Sequence, residues 1–190
     1  IRTPLNGVIG MTDLLLDTQL AETQKEYIRT IKISGEQLLS VLNDILDFSK
    51  IESDKLELEN QPFEVRKCIE DSFDFLASKA AQKNLELVYS FENNIPPAII
   101  GDVTRVRQVL TNLVGNAVKF TNEGEVYVSV SAKKNPDDLY EIIFSIKDTG
   151  IGIPAEKMDK LFKPFSQLDA YSTRSYGGTG LGLVISKKII

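Results

Sequence analysis

The sequence of 190 residues contains no histidine, which excludes any chemistry that would need an imidazole group of this chain. It contains one cysteine, Cys68, which cannot form a disulfide within the chain and is typical of a reducing compartment. Because Cys68 follows a helical pattern, we expect it to be a buried apolar residue and not a reactive thiol.

The sequence also lacks basic runs and long apolar stretches. Its formal net charge is -5 and its isoelectric point is about 4.9, which argues against a general nucleic-acid or anionic-membrane surface. No apolar stretch approaches the roughly 20 residues that span a bilayer, and no signal-peptide pattern is present. We therefore expect a soluble, cytoplasmic chain, whose parent protein is free to be membrane-anchored.

Residues 1–55 have the pattern of two helices and predict a dimer. Apolar residues from Leu5 to Leu15 form one stripe, and those from Gln24 to Glu52 recur at three- and four-residue spacing, as in a coiled-coil seam. Gly35 occupies one step of that seam, and Thr23 is a candidate N-cap. Two helices make half of a four-helix bundle, so we predict that a second copy completes it as a homodimer.

A second domain is predicted over residues 62–190, because Pro62 prevents the preceding helix from continuing. Leu56 and Leu58 alternate just before it and indicate a short strand or an extended linker. Two later strands are joined by NPDD, a strong hairpin signal. The predicted elements are helices at about 64–83, 104–120, 156–162 and from 180, strands at 85–91, 125–134 and 139–148, and a proline-marked loop at 93–102. Strands segregated with helices on one face predict an α+β fold.

Three polar residues share one face of the helix predicted at 104–120. Asn112, Asn116 and Lys119 are spaced by four and three residues, so their side chains project in the same direction. Amide oxygens suit Mg²⁺ held jointly with phosphates, and Lys119 can donate to a phosphate. A pair of asparagines on a helix is usually only solvated, so this signal is weak by itself.

Glycine-rich segments follow. Asp148, Gly150 and Gly152 come directly after a strand, where a carboxylate can accept a hydrogen bond from an amine such as that of adenine, and glycines let a flat base approach. A plain turn is the alternative. The segment GGTGLGL precedes an apolar helix and offers backbone N–H groups to phosphate. It matches neither a Walker A nor a Rossmann pattern.

The polar segment SQLDAYSTRSY between these motifs is expected to form a mobile lid, from which Arg174 reaches a terminal phosphate. A simple surface loop is the alternative. Phe162 and Phe165 precede it, and we expect both rings to pack as core residues at the hinge of the lid.

Together, TNLVGNAVKFT, KDTGIGIP, LFKPFSQ and GGTGLGL resemble, in order and spacing, the N, G1, F and G2 boxes of sensor histidine kinases, members of the GHKL ATPase superfamily. IRTPLNGVIGMTDLLL resembles the segment just after the phosphoacceptor histidine of their dimerisation and phosphotransfer helices. FSQLDAYSTRSYGGTGLGL is similar to the hybrid-type kinases. The resemblance implies a helical hairpin followed by an α/β sandwich of the GHKL (Bergerat) type.

The resemblance implies a role for each matching residue. Asn116 would coordinate Mg²⁺ with Asn112 assisting, Lys119 and Arg174 would contact the phosphates, and Asp148 would accept the adenine amino group. Thr3 matches the position that orients water when such proteins dephosphorylate a receiver domain. The remaining residues of the implied ATP pocket are Phe120, Gly150, Gly152, Gly178, Thr179, Gly180, Leu181 and Gly182.

The resemblance also places the acceptor histidine and its acidic neighbour in the two positions before Ile1, so we expect both ends of the sequence to cut through longer elements. The leading hypothesis is the Mg-ATP-binding core of a sensor histidine kinase that phosphorylates this histidine and then an aspartate of a response regulator. The alternatives are an ATP-sensing interaction module without catalysis, a response-regulator phosphatase, and a GHKL conformational clamp.

Overall fold

The computed structural model describes residues 1–92, 94–137, 139–167 and 178–190, in two units, Ile1–Leu56 and Glu57–Ile190. The first unit contains α1 (Arg2–Leu16) and α2 (Glu22–Glu52). The elements of the second unit are β1 (Gln61–Phe63), α3 (Val65–Gln82), β2 (Glu86–Phe91), β3 (Ile99–Gly101), α4 (Val103–Phe120), β4 (Glu125–Lys134), β5 (Tyr140–Asp148), a 3₁₀ helix (Ala155–Lys160) and α5 (Gly182–Ile189). Helices followed by an α/β unit were predicted, and this order is confirmed.

In the first unit, α1 and α2 pack against each other at Gly35. A Cβ atom at Gly35 would lie 3.1 Å from Cγ1 of Ile9, so the missing side chain lets the helices approach closely. Thr12 is buried there, and its hydroxyl donates to the Ile9 carbonyl at 2.6 Å, which satisfies it. At the surface, Lys32 Nζ donates to Asp13 Oδ1 at 2.5 Å and links the two helices.

The N-cap of α2 differs from the prediction. Ala21 occupies that position, and Thr23 lies inside the first turn, so the predicted Thr23 cap is wrong. The Gln24 side chain accepts a hydrogen bond from the Ala21 backbone N–H at 3.0 Å. The Gln24 side chain, within the first turn, therefore fixes the start of α2. Alanine at the N-cap position is not a typical capping residue, so the sequence did not indicate this start.

The second unit is built on a three-stranded mixed sheet of order β2-β4-β5. β2 runs parallel to β4, with Glu86 opposite Glu125, and β4 runs antiparallel to β5, with Val126 opposite Asp148. The predicted hairpin around NPDD is thus confirmed. The parallel pair requires a long crossover, and the connection from β2 to β4 includes α4.

One face of this sheet forms the core beneath α3 and α4. Val126, Val128 and Val130 alternate along β4 and are fully buried. Their cluster includes Ile69, Phe73, Leu76, Val114, Ala117 and Val118 from the two helices. Cys68 belongs to the same cluster, as predicted, and burial raises the pKa of its thiol, which keeps it unreactive at neutral pH.

A small second sheet was not predicted. β1 pairs antiparallel with β3, with Pro62 opposite Ile100. Of the two alternatives for Leu56 and Leu58, the extended linker is the one found, because both residues lie between α2 and β1 outside any strand. β3 lies in the segment predicted to be a loop, since strands of three residues are too short to show an alternating pattern.

None of the helices described in residues 1–92, 94–137, 139–167 and 178–190 is both long and apolar enough to cross a bilayer.

Candidate nucleotide site

The polar face of α4 holds the three residues predicted from their spacing. Asn112, Asn116 and Lys119 are each half-buried, and Asn116 Nδ2 lies 3.5 Å from Asn112 Oδ1. On the other face of the helix, Val114 and Val118 are buried in the core. Core packing therefore fixes the direction in which the polar side chains point.

Both ends of α4 are tied to other parts of the unit. At the start, Asp102 Oδ1 accepts from the Arg105 backbone N–H at 3.0 Å. At the end, Lys83 Nζ donates to the carbonyls of Val118, Lys119 and Thr121 at 2.9, 2.7 and 3.0 Å. A cation there satisfies terminal carbonyls and complements the helix dipole. Sequence reasoning missed Lys83 because its partners lie 35 to 38 residues further along the chain.

Lys119 lies beside the glycine-rich segment that precedes α5. Its Nζ is 4.9 Å from the centroid of the Phe120 ring, and a Cβ atom at Gly178 would lie 3.5 Å from that Nζ. Burial lowers the pKa of Lys119. Because partial desolvation disfavours the charged ammonium, an anion bound next to it would be strongly attracted.

The loop after β5 is held against the end of α4. Asp148 Oδ1 accepts from the Gly150 backbone N–H at 2.9 Å. A Cβ atom at Gly150 would lie 2.6 Å from the Phe120 carbonyl oxygen, so this position requires glycine. The Ile151 N–H donates to the same carbonyl at 3.3 Å. Gly152, with φ of +66°, turns the chain away, and its Cα faces open space.

Thr149 is a residue of this loop that sequence reasoning missed. Its Oγ1 accepts from the Glu125 backbone N–H at 3.0 Å and donates toward the Glu123 carbonyl at 3.2 Å. A Cβ atom at Gly124 would overlap the Thr149 side chain. Thr149 thus fixes the turn before β4 next to Asp148, whereas the sequence Asp-Thr-Gly indicated only a turn.

The described part of the glycine segment, residues 178–182, is anchored at Leu181. Leu181 is fully buried and anchors the segment in the interior of the unit. Its N–H donates to Thr179 Oγ1 at 3.1 Å. A Cβ atom at Gly180 would lie 2.9 Å from the carbonyl oxygen of Ser166, so the segment packs closely on the 165–167 turn. Gln167 Nε2 also donates to the Gly178 carbonyl at 2.5 Å.

The first turns of α5 meet Asn112. A Cβ atom at Gly182 would overlap the Asn112 carboxamide. Asn112 Nδ2 donates to Ser186 Oγ at 2.9 Å, and Ser186 is buried. Asn112 therefore joins α4 to α5. Sequence reasoning missed Ser186, for which the only signal is its spacing of one helical turn from Gly182.

The predicted site also includes Arg174 and Thr3. Arg174 and nearly all of the predicted lid fall in residues 168–177, outside the described residues, as does Gly177. Thr3 lies in the first turn of α1, in the other unit, and is exposed.

The two phenylalanines predicted to be core residues are exposed. Phe162 has 48% and Phe165 62% of its surface accessible, so that prediction is wrong. They follow a short 3₁₀ helix in a run of turns, which presents no broad apolar face that would bury both rings. Lys187 Nζ of α5 lies 4.9 Å from the Phe162 ring centroid.

The donor set fits a metal ion held jointly with phosphates. Within residues 1–92, 94–137, 139–167 and 178–190, no group of three or more His, Cys, Asp or Glu side chains could hold an ion. The half-buried amides of Asn112 and Asn116 supply hard oxygen ligands for only part of a coordination shell. With Lys119 beside the glycine segment and Asp148 at the loop after β5, the arrangement can hold a nucleotide.

Two family models match the chain. The His Kinase A (phospho-acceptor) domain model matches residues 1–54, and the model of the histidine kinase-, DNA gyrase B- and HSP90-like ATPase matches residues 101–190. The signal transduction histidine-protein kinase BarA of Escherichia coli (strain K12) is 45% identical over 190 residues, which is all of this chain and 21% of BarA. The chain thus spans about a fifth of the length of this curated relative.

Solved structures of histidine kinases are also similar to this chain. Full-length ShkA in complex with AMPPNP aligns with a TM-score of 0.78 and 34% identity, over 99% of this chain and 38% of ShkA. The histidine kinase ThkA in complex with the response regulator protein TrrA aligns with a TM-score of 0.60 and 27% identity, over all of this chain and 51% of that one. The nucleotide-free catalytic domain of ThkA is 30% identical, with a TM-score of 0.53, over 70% of this chain and 80% of the domain.

Proposed function

Because this chain belongs to the histidine kinase family, we propose that it is the dimerisation and ATP-binding core of a hybrid-type sensor histidine kinase. The observation that carries the proposal is one arrangement within the second unit. The amide-bearing face of α4, the glycine segment before α5 and the Asp148 loop adjoin one another through contacts at Gly178, Gly182 and Gly150. The domains proposed are residues 1–55 and 62–190.

In this proposal Asp148 recognises the adenine amino group. Its Oδ1 already accepts from the Gly150 N–H, and the second carboxylate oxygen remains to accept from the base. Gly150 and Gly152 leave room for a flat ring, and Phe120, 36% exposed, offers an aromatic surface to the nucleotide.

The phosphates are assigned to the other end of the site. Lys119 donates to them, as do backbone N–H groups of the glycine segment, including those of Thr179 and Gly180. The Leu181 N–H joins them on exchanging its present partner, Thr179 Oγ1, for a phosphate oxygen. We propose that Arg174 adds a further charge. Asn116, assisted by Asn112, would hold Mg²⁺, which when bound neutralises phosphate charge and polarises the terminal phosphoryl group.

In the family pattern, an Asp or Glu precedes the position of Ile1, and a histidine precedes that acidic residue. We propose that this histidine accepts the phosphoryl group. From there the phosphoryl group would pass to an aspartate of a response regulator. The similarity to ThkA, which was solved with the response regulator protein TrrA, supports this class of partner. Thr3, exposed on α1, would orient the water that hydrolyses the aspartyl phosphate of the response regulator and releases inorganic phosphate.

We also propose that the hairpin forms a homodimer. Large apolar side chains are exposed along both of its helices, namely Val8, Met11, Leu14, Leu15, Tyr27, Ile31, Ile33, Leu38, Ile45 and Leu46. Tyr27, Ile31, Leu38 and Ile45 recur along one face of α2, which is typical of an interface, and two hairpins would complete a four-helix bundle. Since ATP is its substrate, the module is proposed to work on the cytoplasmic side.

Phosphorylation tests the proposal directly. Incubated with Mg²⁺ and ATP labelled at the γ-phosphate, the chain as it stands should gain no acid-labile label. A version extended upstream so that His-Glu precedes Ile1 should become labelled, and a matched version with Gln-Glu should not. An extended version that binds Mg-ATP and never labels would contradict the kinase proposal.

A further inference from the structure

The geometry points to Ser186 as a positioning residue that orients the Asn112 carboxamide and thereby directs the carbonyl oxygen of Asn116 to the metal. Ser186 belongs to none of the motifs identified from the sequence. The inference rests on the proposed function, because it concerns the same Mg-nucleotide site.

Ser186 holds one end of the Asn112 side chain. It lies in the second turn of α5 with 5% of its surface exposed, and its Oγ accepts from Asn112 Nδ2 at 2.9 Å. A carboxamide has an NH₂ group on one side and an oxygen on the other. Fixing the NH₂ group of Asn112 on Ser186 therefore fixes its oxygen beside Gly182, where a Cβ atom would overlap that oxygen, and on the side of Asn116.

That oxygen faces the next amide of α4. Asn116 Nδ2 lies 3.5 Å from Asn112 Oδ1. The contact is long, but in it the NH₂ group of Asn116 faces the oxygen of Asn112. With its NH₂ group toward Asn112, Asn116 presents its carbonyl oxygen, the atom that Mg²⁺ requires, on its other side. If Asn112 turned over, two NH₂ groups would face each other, and Asn116 would turn its oxygen away as well.

The packing around Asn112 maintains the orientation of its carboxamide. The carboxamide fits against α5 only because residue 182 is a glycine, where any Cβ atom would overlap it. Leu181 and Ile185, both fully buried, hold the first turns of α5 in the core. The helix that follows the phosphate-binding segment is thereby coupled to the residue proposed to bind the metal.

Calorimetric titration with AMPPNP, in Mg²⁺ and in EDTA, tests this role in the whole chain. We expect Ser186→Ala to reduce the gain in affinity given by Mg²⁺ by roughly three- to tenfold, with affinity in EDTA changed less than about twofold. The matched control is Ser72→Ala, since Ser72 is also a buried helical serine, bonded to the Cys68 carbonyl at 2.7 Å. It should leave both affinities unchanged.

Two results would overturn the inference: an unchanged gain from Mg²⁺ in Ser186→Ala, or equal loss of affinity with and without Mg²⁺, which indicates packing alone. A wild-type chain without Mg²⁺-dependent binding would instead contradict the proposed function, and with it the role of Ser186.

A second measurement uses only the wild-type chain and so does not depend on whether a variant folds. The side-chain NH₂ protons of Asn112 should exchange with solvent at least about tenfold more slowly than those of Asn60, which is exposed. Equal exchange rates for the two side chains would show that Ser186 does not hold Asn112, and would overturn the inference.

Discussion

The two units of the chain bury their apolar side chains to very different degrees. In the second unit, Val126, Val128 and Val130 are fully covered by helices of the same unit. Among residues 1–56, all of which the structure describes, Ile28 and Ile51 are the large apolar side chains that reach comparable burial, at 8% exposure each. The second unit therefore has its own core, whereas the hairpin leaves many of its large apolar side chains exposed.

The largest effect is expected where a second copy of the hairpin would pack. Leu38, in the seam of α2, is 52% exposed. If a second hairpin covers it, Leu38→Glu should weaken the dimer by about 3–6 kcal/mol, because two leucines lose burial and two carboxylates are placed in the interface. Light scattering across a concentration series measures this change.

The adjacent substitution Gln37→Glu adds the same charge at an exposed position outside the seam, and serves as its control. Equal dimer affinity for both variants would show that the exposed apolar seam of α2 is not covered by a partner, and the contrast drawn between the two units would fail.

An intermediate effect is expected within the second unit at Lys83. Lys83→Met removes three hydrogen bonds to the end of α4, and we expect a loss of about 2 kcal/mol in the free energy of unfolding. Urea unfolding followed by circular dichroism measures it. Lys79→Met, an exposed lysine on α3, should change stability by less than about 0.5 kcal/mol. Similar values for the two variants would contradict a capping role for Lys83.

The smallest effect is a pH dependence of nucleotide binding. Burial lowers the pKa of Lys119, and a bound phosphate would raise that pKa again. Affinity should therefore be constant below the pKa of the free protein and fall as the pH rises through it, by up to about tenfold, until the pKa of the complex is reached.

Lys119→Arg sharpens this prediction. Arginine stays charged throughout the range, so the alkaline fall in affinity should disappear. Fluorescence polarisation of a labelled ATP analogue at several alkaline pH values follows both proteins. The same pH profile for lysine and arginine at this position would show that Lys119 does not meet the phosphates.

The sequence predicted those features that depend on periodicity and ordered motifs. Asn112, Asn116 and Lys119 share one face of α4 because helical spacing alone brings them together. The β4–β5 hairpin was predicted for a similar reason, since two alternating strands flank a turn sequence.

What the sequence did not predict depends on distant contacts or on short elements. Lys83 reaches carbonyls more than thirty residues away, and Ser186 meets Asn112 across 74 residues. β1 and β3 have three residues each and show no period. Phe162 and Phe165 were expected to be buried because aromatic residues usually are, but the turns around them leave their rings exposed.

The central claim is that α4 carries a metal-dependent nucleotide site, and one titration tests it most directly. Calorimetry should show that Mg²⁺ strengthens ATP binding to the wild-type chain and to the exposed control Asn60→Ala. In Asn116→Ala the affinity in Mg²⁺ should fall at least about tenfold, while that in EDTA stays the same. Equal binding by the wild type and Asn116→Ala in Mg²⁺ would contradict the claim.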